Sequence, residues 1–79
     1  MSDHATYYEV ASRAHRKAGW RVVGATQSRE EALELARTVA GRSPEAGATV
    51  SKEIFDPEQG DFNSVRIATF GDCDSANQK

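Results

Sequence analysis

The sequence predicts an α+β fold: a ββαββ chain whose four-stranded antiparallel sheet carries one helix on one face. Three observations lead there. Residues 28–41, SREEALELARTVAG, form one helical segment with its own start and stop signals. Four further segments alternate side chains with the period of a strand, two before the helix and two after it. Polar turns rich in Gly or Pro separate the members of each pair.

The helix anchors the reading. Ser28 and Glu31 have the capping-box spacing: the Ser28 hydroxyl can accept from the Glu31 amide, and the Glu31 carboxylate can reach back to the Ser28 amide. Glu30 and Glu31 suit the positive end of the helix dipole, and Arg37 and Arg42 lie near the negative end. Gly41 is predicted as a left-handed C-terminal cap. Ala32, Leu33, Leu35, Ala36, Val39 and Ala40 share an arc of roughly 160° at about 100° per residue. That one-sided face must lie on apolar surface, and its alanines let the backbone approach closely.

Before the helix, residues 6–14 and 20–26 read as strands joined by a polar turn at 15–19, where Gly19 offers a positive φ. Strict alternation puts Trp20, Val22 and Gly24 on one side of the second strand, and Arg21, Val23 and Ala25 on the other. After the helix, a loop at 42–47 leads to strands at 48–56 and 63–70. Between them, Asp56-Pro57-Glu58-Gln59-Gly60 is a strong turn with Gly60 in the left-handed position. The helix reverses the chain, so strand three runs parallel to strand two. A right-handed crossover that skips one strand gives the order 2-1-3-4.

Residues 1–5 and 71–79 are predicted to be disordered ends, leaving 6–70 as one domain. A chain of 79 residues is marginal in core size unless packing or self-association helps. One cysteine excludes an intramolecular disulfide, and no apolar run has the length of a membrane span. The reading is a cytoplasmic protein with no membrane partner. Net charge is −2, which gives no global argument for nucleic acid. The charge is uneven, at +2 over residues 1–25 and −4 over 43–79.

Two surfaces stand out. One helix covers one face of four strands, so apolar residues on the other face need a second layer. Tyr7, Val23 and Phe55 mark that open face, and a homodimer or a larger protein is its expected partner. The second surface is the hairpin 13–21. Arg13, Arg16, Lys17 and Arg21 are four of the ten basic residues, with His15 and Trp20 among them. This is a candidate contact for an anion or nucleic acid, although Trp20 also fits the core side of its strand. Cys73 lies between Asp72 and Asp74, which disfavour its thiolate. No zinc-type ligand spacing, serine elbow or phosphate loop is present, so no metal, cofactor or catalytic set is expected.

Tyr8, Trp20 and Val22, then Ser28-x-x-Glu31-Ala32 with Ala36, then Val50, Glu53 and Phe55-Asp56-Pro57 together resemble small uncharacterised bacterial ββαββ domains of unknown function. All are structural residue types, and the resemblance implies a fold without an activity. The function expected is non-catalytic: a self-associating or adaptor module. The alternative is nucleic-acid binding through the basic hairpin.

Overall fold

The chain forms β1 (Thr6–Arg13), β2 (Arg21–Thr26), α1 (Arg29–Ala40), β3 (Gly47–Asp56) and β4 (Asp61–Gly71). The computed structural model describes residues 6–71. The predicted disordered ends, and the Asp72-Cys73-Asp74 motif, therefore lie outside the described residues, except Gly71, which ends β4. The sheet order is β2-β1-β3-β4, with every neighbouring pair antiparallel.

α1 packs by small residues. Ala32 and Ala36 have no exposed surface, and Ala40 retains 9%. They meet Val10 of β1 and Ala48 and Val50 of β3, all fully buried. Leu33, Leu35, Tyr8, Ile67, Ala68 and Phe70 close around this cluster, partly buried. The largest side chains with no exposure are the two valines, Val10 and Val50. Alanines on both helix and sheet allow a close approach, but they bury little apolar area per residue.

The helix N-terminus differs from a simple capping box. The Ser28 hydroxyl does accept from the Glu31 amide, at 3.2 Å. The Ser28 amide, however, donates to the Thr26 hydroxyl at 3.1 Å, and Thr26 donates to the Glu31 carboxylate at 2.9 Å. The last residue of β2 thus stands between the two halves of the box. At the other end, Gly41 is not left-handed: its φ is −81°, and its amide donates to the Arg37 and Thr38 carbonyls. A tightened last turn satisfies those carbonyls without a positive φ. The described glycines with positive φ are Gly60 and Gly71, so Gly19 does not use that freedom.

Two bulges decide which side chains face where. β1 and β2 pair Val10 with Gly24 and then Ala11 with Val22, leaving Val23 as an extra residue. Beyond this point the alternation of β2 reverses. Gly24 faces the helix, where a Cβ would stand 2.7 Å from Leu35 Cδ2. Val22 instead shares the outer face with Ala11 and is 58% exposed. Trp20 precedes β2 and is 42% exposed, so neither it nor Val22 belongs to the core, as alternation alone had suggested. In the β3–β4 pair the shift falls after Val50, leaving Ile67 as the extra residue, packed against the core with Ala68 and Phe70.

The twelve residues of α1 span about 18 Å. The eleven residues of β4 reach about 36 Å. The far half of the β3–β4 hairpin therefore extends past the helix, and residues 61–66 are all exposed.

Candidate functional site

The sheet face opposite α1 is built by the register. Reading across the strands, Val22, Ala11, Thr49 and Thr69 form one row; Ala25, Glu9, Ser51 and Arg66 form the next. Tyr7, Glu53 and Ser64 follow, and Phe55 and Phe62 complete the face. No element of the described chain covers it.

Its outer end is aromatic. The Tyr7 and Phe62 rings are 5.5 Å apart at 76°, and Phe55 and Phe62 are 5.2 Å apart at 64°. Both contacts are edge-to-face. The turn that positions Phe62 is tightly bonded: the Asp56 side chain accepts from the Glu58 amide at 3.0 Å, and its carbonyl accepts from the Gly60 amide at 2.8 Å. Gly60 adopts φ 70°. Asp56 consequently pairs with Asp61, which sets Phe62 opposite Phe55.

Paired with Tyr7 across the β1–β3 ladder is Glu53, only 8% exposed. Its carboxylate accepts from the Ser64 hydroxyl at 2.6 Å. Partial burial, with the Glu9 and Glu53 carboxylates adding to it, raises the Tyr7 phenol above its usual value of 10.0.

The structure places Tyr7 and Phe55 on this one face and adds Phe62, which the sequence left between the predicted turn and the fourth strand. Counting back from a four-residue turn between Asp56 and Asp61 would have found it. Val23 does not belong to this face. As the bulge residue it lines a hollow with Val39 and Ser12, on the helix side of the sheet.

The basic residues are divided. Arg13 and Arg21 border that same hollow, together with Arg42 from the α1–β3 loop. His15, Arg16 and Lys17 line a separate hollow with Glu45. The Arg13 guanidinium lies 4.7 Å from the Trp20 ring centre, so one face of the indole is occupied from within the chain. Arg42 had no sequence signal tying it to the hairpin; only the crossover brings them together.

No protein-family model, curated protein or solved structure matches this chain. The geometry is the basis for a functional reading. Among the described residues, no helix is long and apolar enough to cross a membrane.

Proposed function

We propose that this protein is a non-catalytic binding module that associates with a second copy of itself through the uncovered sheet face. The observation that carries the reading is the Tyr7–Phe55–Phe62 cluster on that face, with Phe62 still 40% exposed. The small core supports it. A domain whose fully buried side chains stop at valine gains from burying a second apolar layer.

The face is also complementary to itself. Consider a two-fold axis in the interface, running along the strands between β1 and β3. It lays β1 over the partner's β3 and β2 over the partner's β4. By the observed register, the Tyr7 row then lies over the partner's Glu53 row. Glu9 faces the partner's Ser51, Ala25 faces the partner's Arg66, and Val22 faces the partner's Thr69. No like charges meet in these rows. Sheets stacked this way pack within about 30° of alignment.

Sedimentation equilibrium tests the proposal. The wild type should fit a dimer, and Phe62→Ser should shift it to monomer while keeping its far-UV circular dichroism. Thr69→Asp serves as a second variant, because Thr69 is exposed and its replacement places a charge in the interface without touching the core. A monomeric wild type, or a Thr69→Asp variant that remains dimeric, would sink the reading.

A further inference from the structure

We propose that the hollow between the start of β2, the end of β1 and the α1–β3 loop binds a small phosphate monoester. This site is on the helix side of the sheet and does not depend on the self-association surface.

Its rim is cationic. Arg21 opens β2 and Arg42 follows α1, so two separate elements each bring an arginine to one hollow of about 280 Å³; Arg13 of β1 also borders it, with its guanidinium held over Trp20. Among the described residues, no carboxylate lines it. Among the described residues, Arg21 and Arg42 form no ion pair. A guanidinium offers a planar fork of donors that matches two phosphate oxygens at once, and convergent arginines favour a dianion over a monoanion.

Hydroxyls supply the rest of the polar lining. Ser43 Oγ accepts from the Glu45 amide at 3.1 Å, which leaves its hydroxyl hydrogen to donate. Ser12 is 7% exposed and belongs to the side of β1 that borders the hollow. The apolar part of the lining is Val23, Val39 and Ala46. The bulge in β2 is what brings Val23 there.

The volume limits the ligand. Pockets for drug-sized molecules run from about 300 to 1,000 Å³, so this one suits a phosphate with a short apolar substituent. One feature opposes an anion: the C-terminal end of α1 is nearby. Its Arg37, Thr38 and Val39 carbonyls are already bonded by the Gly41 and Arg42 amides, and the charges of Arg21 and Arg42 outweigh what remains.

The test is an NMR titration of the full-length ¹⁵N-labelled protein with phenyl phosphate, inorganic phosphate and benzoate at constant ionic strength. Saturable shifts at the Ser43 and Ala46 amides with phenyl phosphate, reversed by competing inorganic phosphate, are expected. Losing one charge-assisted contact in Arg42→Gln or Arg21→Gln should weaken binding by about tenfold. Lys17→Gln, in the neighbouring hollow, should leave binding unchanged. No saturation by about 10 mM phenyl phosphate, weaker than the weakest class of specific binding, would overturn the proposal. So would benzoate binding as well as phenyl phosphate, or Arg42→Gln and Arg21→Gln binding like the wild type.

Discussion

Gly60 and Gly71 offer a controlled comparison, because they share a backbone conformation and differ in their surroundings. Their φ values are 70° and 72°. Alanine at either must occupy the left-handed region, which costs roughly 1–2 kcal/mol. Alanine also restricts the unfolded chain, which offsets about 0.4–1 kcal/mol of that. At Gly60 nothing lies within 4 Å of the new Cβ, so no steric cost is added. At Gly71 the Cβ would overlap the Ala46 carbonyl oxygen and stand 3.1 Å from the Ala40 Cβ. The carbonyl is backbone and cannot swing aside; overpacking of this kind adds about 1–3 kcal/mol. Gly60→Ala should therefore lose about 1 kcal/mol or less, and Gly71→Ala about 2–4 kcal/mol. Urea unfolding at one fixed protein concentration reads the difference. With a slope of about 1 kcal/mol per molar for a small domain, the two midpoints should fall about 1–3 M apart. Coincident midpoints would refute the close approach of β4 to Ala46, and with it the packing of β4's end against the α1–β3 loop.

Two other predictions concern the ends of β1 and β2. Tyr7 should ionise above the usual value of 10.0 for a tyrosine, which an absorbance titration of tyrosinate would read, and Glu9→Gln or Glu53→Gln should lower it. Because the folded chain holds that proton to higher pH than the unfolded chain, the associated stability is intact below the unfolded value and is lost as pH rises through the folded one. Tyr7→Phe should remove this part of the alkaline loss, and an unchanged alkaline profile would contradict it. Thr26→Val breaks both the Ser28 amide bond and the Glu31 carboxylate bond, and should cost about 1 kcal/mol in thermal or urea unfolding; a variant as stable as the wild type would mean that water replaces both bonds without loss.

The parts of this fold that were legible in the sequence are those set by neighbours along the chain. The helix announced itself through Ser28, Glu31 and its alanine face, and the Asp56–Gly60 turn through its residue types. The strand order followed from chain direction and crossover handedness. What escaped depends on fit between distant segments. Strict alternation in β2 assigned Trp20 and Val22 to the core, but the extra residue at Val23 reverses the pattern on the N-terminal side of Gly24. Gly24 beside it is the one local mark of that bulge, and it does not say which residue is extra, since Val22 and Val23 are the same residue type. The Thr26 relay at the helix start requires β2 to end against α1. The arginine hollow requires Arg21 and Arg42 to meet across the crossover, and no spacing rule encodes that.

The most direct test of self-association through the open face is sedimentation equilibrium on the wild type beside Thr69→Asp, at several loading concentrations. A dimer that the substitution converts to a folded monomer is the predicted result. A wild type that remains monomeric at every concentration, or a Thr69→Asp variant that dimerises as the wild type does, would contradict it.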